Sequence, residues 1–160
     1  MIISGNRRPS LSEFKNLVDD ATIRLNEDAM VQPDYYMSRG GELLEEDVER
    51  ELKAASIGTP FQNTIKIISG RHFPDIIATD YYGVEVKSIK KNAWTSTAGS
   101  VKESSRGKKI ERIFLTFGKL SSPVEFRSRP YEDCISGAAI THSPRYKIDM
   151  TLDKDETIFD

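Results

Sequence analysis

Apolar residues recur at three- and four-residue steps over residues 11–26 and again over residues 42–55. This spacing places the apolar side chains along one side of an α-helix, so both segments are predicted to be amphipathic helices. Ser10 or Ser12 can cap the first of these helices. The intervening residues 31–39 contain a proline and are predicted to be a loop.

After the second helix the pattern becomes that of β-strands, with short runs rich in β-branched residues separated by turn-forming residues. Strands are predicted at residues 64–69, 74–79, 83–89 and 111–117, with further candidates at residues 124–126, 138–141 and 146–152. Residues 80–83 are predicted to form a hairpin turn. Residues 95–106 are polar at first and are predicted to be helical from about Ser100.

The predicted order helix–strand–strand–strand–helix–strand is typical of the α/β class, with a central mixed β-sheet flanked by helices. The chain of 160 residues has the length of a single domain with one core. Within that domain we expect a helical and loop segment at residues 1–40 and a core of order αβββαβ at residues 41–120. Residues 121–160 then complete the sheet and are available for contacts with partners.

Composition narrows the class of protein. Apolar residues make up 38% of the chain and charged residues 30%, which is typical of a globular protein rather than a disordered one. No apolar run has the roughly 18 residues that a membrane-spanning helix needs, and the N-terminus lacks the apolar region of a secretory signal. The single cysteine, Cys134, excludes an internal disulfide and a cysteine-only zinc site, and we expect it in the core. These features predict a cytoplasmic protein without a membrane partner.

Charge is distributed unevenly along the chain, whose net charge is −2. Residues 1–60 hold seven basic and twelve acidic side chains, whereas residues 87–112 hold eight basic and two acidic ones. A basic segment within an acidic protein can attract phosphate groups. The alternative is a solvated loop and helix face, which clusters of charge also form without any ligand.

The candidate chemistry lies in residues 73–90, FPDIIATDYYGVEVKSIK. Asp75 begins one predicted strand, and Glu85 and Lys87 lie two residues apart on the next, so these last two side chains share a face of the sheet. A hairpin brings Asp75 to the same face. Two converging carboxylates repel each other unless a cation lies between them, and magnesium prefers carboxylate oxygens as ligands. Lys87 can then orient an attacking water or stabilise charge on a phosphate.

Pro74-Asp75, nine intervening residues and Glu85-Val86-Lys87 together resemble the motif of the PD-(D/E)xK nucleases, a family that includes most type II restriction endonucleases. The resemblance implies a restriction-endonuclease-like fold. It also implies that Asp75 and Glu85 ligate one or two magnesium ions and that the Val86 carbonyl completes the shell. Lys87 would serve the attacking water.

A glutamate on a helix before the motif hairpin is common in this family, in the pattern G-x-x-hydrophobic-E-x-x-V. Gly41, Leu44, Glu45 and Val48 fit that pattern. The resemblance therefore implies that Glu45 adds a metal ligand or a supporting contact at the catalytic site. The alternative is an acidic helix surface, because five further carboxylates lie within residues 42–51.

Basic, hydroxyl and amide side chains follow the motif and suit contacts with phosphates and base edges. The predicted DNA-binding residues are Lys90, Lys91, Asn92, Trp94, Thr95, Ser96, Lys102 and Arg106. Trp94 can stack on a base or anchor its loop in the core, and we favour the anchor. Arg127, Arg129 and Tyr131 form either a phosphate-contacting loop or a solvated rim.

The motif and the resemblance together predict a magnesium-dependent, site-specific endonuclease of type II restriction type, which cuts double-stranded DNA in a prokaryotic cytoplasm and leaves 5′-phosphates. A palindromic target with two strands to cut implies a homodimer. One alternative is a repair, nicking or junction-resolving nuclease of the same fold. Two others are a non-catalytic DNA-binding module and a protein-interaction domain with an acidic first half.

Overall fold

Helices and strands are defined over the residues that the computed structural model describes, which are 8–68, 73–100, 110–139 and 145–159. The helices in this part are α1 (Leu11–Val31), α2 (Pro33–Met37) and α3 (Glu42–Ser56). The strands are β1 (Ile65–Ile67), β2 (Ile76–Ala78), β3 (Tyr82–Ile89), β4 (Thr95–Ser100), β5 (Arg112–Lys119), β6 (Glu125–Pro130), β7 (Ile135–Ala139) and β8 (Arg145–Asp149). A 3-10 turn, Tyr131–Cys134, joins β6 to β7.

Helix α1 begins where the Ser10 hydroxyl accepts the Glu13 N–H at 3.1 Å and the Glu13 carboxylate accepts the Ser10 N–H at 3.0 Å. This reciprocal pair satisfies two N–H groups that a helix start leaves unpaired. The helix extends past its predicted end to Val31, because no glycine or proline interrupts it before Pro33. None of the described helices is long and apolar enough to cross a lipid bilayer.

The predicted loop at residues 31–39 is wrong in part, because it contains the short helix α2. Pro33 is favourable at the first position of this helix, because an N–H group there would have no acceptor within the helix. Tyr36 of this helix is fully buried, and its ring lies 5.4 Å from the ring of Phe126 in β6. Helix α3 has the predicted start and ends one residue beyond the predicted end.

The main sheet has five strands in the order β1-β2-β3-β5-β6. The pair β3–β5 is parallel, and the other neighbouring pairs are antiparallel. The predicted α/β class with a mixed sheet is therefore confirmed. The strands predicted at residues 64–69, 74–79, 83–89 and 111–117 correspond to β1, β2, β3 and β5. The hairpin turn predicted at residues 80–83 is shorter, because β3 already begins at Tyr82.

The two faces of the main sheet are covered differently. Val84, Val86 and Phe114 point to one face, where they are buried together with apolar residues of α1 and α3. A smaller antiparallel sheet of order β4-β8-β7 covers the other face. The core between the sheets contains Leu115, Phe117, Cys134, Ile135, Ile148 and Met150. The long helices thus flank one face of the sheet, and the predicted burial of Cys134 is confirmed.

The polar residues 95–100 form strand β4, so the helix predicted from about Ser100 is wrong at Ser100, which pairs with Arg145 of β8. Within β4, Thr95 pairs with Asp149 and Ser96 with Ile148, both in β8. Tertiary pairing of this kind overrides weak local preference, since β8 supplies main-chain partners from far along the chain. Residues 101–106, where the rest of that helix was predicted, lie outside the described residues. The candidate strands at residues 124–126, 138–141 and 146–152 correspond to β6, β7 and β8 with shifted ends.

Gly83 in β3 allows the chain that precedes β2 to approach β3 closely. A Cβ atom at Gly83 would overlap the ring of Pro74. We expect Gly83→Ala to lower the free energy of unfolding by about 1–3 kcal/mol, because a packed interior resists an added methyl group. Urea denaturation measures the loss. Gly40→Ala is the matched control, since its Cβ would lie 3.6 Å from its nearest neighbour, Cε of Lys90. Equal unfolding midpoints for the two variants would contradict the steric explanation.

Candidate active site

Asp75 and Glu85 come together where β2 begins. Ile76, the first residue of β2, pairs with Val84 in an antiparallel ladder, so Asp75 lies beside Glu85 one position further along. Here hydrogen bonds from backbone N–H groups to carboxyl side chains join the two segments, in place of backbone-to-backbone bonds. Oε1 of Glu85 accepts the Asp75 N–H at 3.2 Å, and Oδ2 of Asp75 accepts the Val86 N–H at 2.8 Å. Backbone donors therefore hold both carboxyl groups at the edge of β3.

Glu85 and Lys87 project from the same face of β3. Their partners across the parallel ladder to β5 are Leu115 and Phe117, which face the core between the sheets. Glu85 is 8% exposed, and Lys87 is half-buried. Val86, between them, is buried on the opposite face against the helices. The strand is thus anchored by apolar contacts on one face and carries its ionisable groups on the other.

A cavity of about 290 Å³ opens at this edge of the sheet, between the start of α3 and strand β4. The residues that line it are Gly41, Glu45, Asp75, Glu85, Val86, Lys87, Ser88 and Ser96. The fold therefore brings the three ionisable groups of the motif to one space together with a fourth from α3. The hydroxyls of Ser88 and Ser96 on the cavity wall add hydrogen-bonding groups. Ser88 was not among the site residues predicted from the sequence.

Glu45 lies in the first turn of α3. Burial, together with the negative charges of Asp75 and Glu42 and against the charge of Lys87, raises the pKa of Glu45 to about 7. These couplings place its carboxyl near the Asp75 carboxyl rather than on an isolated helix surface. Within the described residues, however, no group of three Asp, Glu, His or Cys side chains is arranged to hold a metal ion. A direct bond from Glu45 to a metal therefore stays a prediction, and its position suits a supporting contact.

Burial also dominates the electrostatics of the carboxyl pair. It raises the pKa of Asp75, against the opposing effects of the Val86 N–H, the hydrogen bond with Glu85 and the charge of Lys87. Burial raises the pKa of Glu85 well above its ordinary value, and the negative charge of Asp75 adds to this effect. The cation-free pair therefore keeps its protons to higher pH than free carboxyl groups do. A divalent cation would compete with these protons for the same oxygens.

The oxygen atoms at this edge match the ligands that magnesium takes. The carbonyl of Val86 faces the same edge of β3 as its N–H, which donates to Asp75. Magnesium is commonly held by one or two carboxylates, while water and substrate phosphate fill the remaining positions. Asp75, Glu85 and this carbonyl fit that pattern. Zinc fits less well, because the described residues that line the cavity include neither histidine nor cysteine.

The raised carboxyl pKa values make the stability of the cation-free protein depend on pH. The unfolded chain loses these protons near about pH 4, whereas the folded protein keeps them to higher pH. Rising pH therefore lowers the free energy of unfolding until the folded carboxyls ionise. We expect the melting temperature in EDTA to fall from about pH 5 to about pH 9, and to fall less for Glu85→Gln.

Asp80→Asn is the control for this pH dependence, because Asp80 is an exposed carboxylate in the turn before β3. It should show the full wild-type fall in melting temperature. A fall that is the same for wild type and Glu85→Gln would contradict a retained proton at the Asp75–Glu85 pair.

The structure distributes the predicted DNA-binding residues over several positions. Four of them are exposed in the turn after β3 and at the start of β4, namely Lys90, Lys91, Asn92 and Thr95. Ser96 lines the cavity itself. Lys102 and Arg106 lie outside the described residues. A turn with two lysines therefore follows directly on β3, the strand that carries Glu85.

Trp94 packs against the core between the two sheets. Its ring lies 5.8 Å from the ring of Phe117, and the guanidinium of Arg127 lies 4.1 Å above it. Its carbonyl oxygen accepts the Met150 N–H at 3.0 Å. These contacts support the interpretation of Trp94 as an anchor for its loop, because a ring that stacks on bases needs a free face.

The end of β6 and the turn that follows it pack against the interior. Nη1 of Arg129 donates to the Met150 carbonyl at 3.2 Å. The ring of Tyr131 lies 5.3 Å from that of Phe73, and its hydroxyl is buried. Neither a phosphate-contacting loop nor a solvated rim describes Tyr131. Local spacing gave no signal for this burial, because long-range strand pairing brings the residue there.

No protein-family model matches this chain, and comparisons with curated proteins and with solved structures return no significant similarity. A functional assignment therefore depends on the motif from Pro74 to Lys87 and on the geometry of the cavity that contains it. The chemistry of that cavity is the basis of the proposal below.

Proposed function

We propose that this chain is a magnesium-dependent DNA endonuclease of the PD-(D/E)xK type, which hydrolyses phosphodiester bonds and leaves 5′-phosphates. The observation that carries the proposal is the convergence of Asp75, Glu85 and Lys87 on one cavity. Two backbone N–H groups orient the carboxyls, so the arrangement exists before any ligand binds. Preorganised charged groups of this kind are what phosphoryl transfer requires from a protein.

Asp75, Glu85 and the Val86 carbonyl would hold the magnesium ion, with Glu45 in support from α3. A bound ion would stabilise negative charge on the phosphate and lower the pKa of a water molecule. The two carboxyls are suited to this task because backbone donors fix their direction. Their burial strengthens their interaction with any positive charge, since few water molecules screen it.

Lys87 would act on the attacking water and on the phosphate. It shares the cavity with both carboxyls, and the packing of Val86 on the opposite face of β3 fixes the direction in which it leaves the strand. Its Nζ would donate hydrogen bonds that orient the water. Its positive charge would also stabilise charge that develops on the phosphate oxygens.

The exposed residues beside the cavity would hold the DNA backbone. Lys90 and Lys91 follow β3 directly, and their charges would attract phosphates next to the scissile one. The hydroxyls of Ser88 and Ser96 lie on the cavity wall and can donate to phosphate oxygens. Cleavage of both strands at a palindromic site would use two copies of the cavity, which a homodimer supplies.

Incubation with a phage DNA of known sequence tests the proposed function. We expect discrete fragments with 5′-phosphates in the presence of magnesium and intact DNA in EDTA. Discrete fragments from linear duplex support site-specific cleavage of restriction type. Cleavage confined to branched junctions would assign the same cavity to a junction-resolving nuclease. The absence of any cleavage would contradict the nuclease proposal.

A further inference from the structure

Tyr131 has a buried hydroxyl group that forms no hydrogen bond with any described residue. The other buried side-chain N and O atoms in the described part of the chain all have a partner. Burying a hydroxyl without a partner is unfavourable, so native proteins seldom keep one without a function. The packing of the Tyr131 ring therefore does not explain why its hydroxyl is buried without a partner.

The ring of Tyr131 lies on the face of the main sheet that carries Glu85. It packs against the core between the sheets, which includes Leu115 of β5. Leu115 is the partner of Glu85 across the parallel ladder. The ring also lies 5.3 Å from that of Phe73, two residues before Asp75. Tyr131 therefore lies on the same face of the main sheet as Glu85, close to the start of the segment that carries Asp75.

Glu85, when it is ionised, is the carboxylate with the largest effect on the Tyr131 hydroxyl, since after burial its charge contributes most to the raised pKa of Tyr131. The other groups that act on the phenol are Tyr146 and Cys134, neither of which is a carboxylate. Oε1 of Glu85 already accepts the Asp75 N–H, and in the cation-free protein the Glu85 carboxyl also shares a hydrogen bond with the Asp75 carboxyl.

We propose that Tyr131 is a positioning residue for Glu85, whose carboxylate accepts a hydrogen bond from the Tyr131 hydroxyl when a divalent cation is bound. This inference rests on the proposed function, since it concerns the same carboxylates. A carboxylate that binds a metal through one oxygen is oriented by a donor to the other, and such outer contacts tune the affinity for the metal. Tyr131 acts through Glu85 and does not touch the substrate.

Magnesium titration of the full chain by calorimetry, without DNA, tests the inference on Tyr131→Phe. We expect the dissociation constant to rise by about 10- to 100-fold, which is the usual effect of removing such an outer contact. In EDTA the variant should melt at the wild-type temperature or above it, because the hydroxyl it loses is unpaired there. Tyr146→Phe is the matched control, since Tyr146 packs against the same core but its ring contacts Phe159 and not Phe73, the neighbour of Tyr131 near the carboxyl pair.

The possible results separate the two proposals. If wild type binds magnesium and Tyr131→Phe binds it equally well, the inference is wrong and the proposed function stands. If Tyr131→Phe melts below wild type in EDTA, the hydroxyl has a structural partner, and that also overturns the inference. If wild type binds no magnesium, the proposed function fails and the inference fails with it.

Discussion

Glu85→Gln should lower the rate of magnesium-dependent DNA cleavage by about 10²- to 10³-fold or more, the range seen when one preorganised electrostatic group is removed. The amide keeps the size of the side chain and an oxygen near the Asp75 N–H, so the fold should persist. It carries no charge, and therefore it cannot help to hold a cation. Single-turnover cleavage of a linear duplex, with protein in excess, measures the rate without interference from product release.

Asp80→Asn is the matched control for this loss of activity. It removes a carboxylate five residues along the chain from Asp75, in an exposed turn, and should cleave at the wild-type rate. Glu85→Gln should still retard DNA in a gel at low salt, because Lys90 and Lys91 remain. Cleavage by Glu85→Gln at the wild-type rate would contradict the role assigned to this carboxylate.

Asp47→Ala should lower the free energy of unfolding by about 3–5 kcal/mol, the usual effect of removing one member of a buried ion pair. The Asp47 side chain is completely buried in α3. It accepts hydrogen bonds from the Tyr35 hydroxyl at 2.6 Å, Nε of Arg39 at 2.8 Å and Nη1 of Arg50 at 2.9 Å. The substitution leaves the Tyr35 hydroxyl and the guanidinium groups of Arg39 and Arg50 without the negatively charged acceptor that they share.

Urea denaturation measures this loss, and Glu46→Ala is its matched control. Glu46 is the next residue towards the N-terminus and also faces Arg39, at 3.7 Å, but it is exposed to solvent. An exposed ion pair contributes about 1 kcal/mol or less, so the control should change stability little. Similar unfolding midpoints for Asp47→Ala and Glu46→Ala would show that burial gives Asp47 no special importance.

Features set by local spacing could be predicted from the sequence. Asp75, Glu85 and Lys87 lie within one hairpin, so the strand period of two and a short turn suffice to bring them together. The apolar stripes of α1 and α3 are equally local. The sequence did not predict residues 27–31 of α1, because an apolar stripe carries no signal for where its helix ends. Helix α2 was missed because a proline fits a helix start as well as a loop.

Features set by distant partners could not be predicted in this way. Strand β4 is polar, and only its pairing with β8 explains its conformation. The sequence of α3 is consistent with one acidic surface, yet Asp47 and Glu51 are buried in ion pairs. Their partners are Arg24 of α1, Arg39 of the loop before α3 and Arg50 of α3 itself. The position of Tyr131 on the same face of the sheet as Glu85 depends on the order of the strands. A single sequence carries no signal for these contacts.

A supercoiled plasmid, incubated with magnesium and either wild-type protein or the double variant Asp75→Ala/Glu85→Ala, tests the nuclease proposal most directly. We expect wild type to convert the plasmid to linear DNA or discrete fragments. The double variant should leave it supercoiled while still retarding it in a gel. Cleavage that survives both substitutions would contradict the assignment of phosphodiester hydrolysis to this cavity.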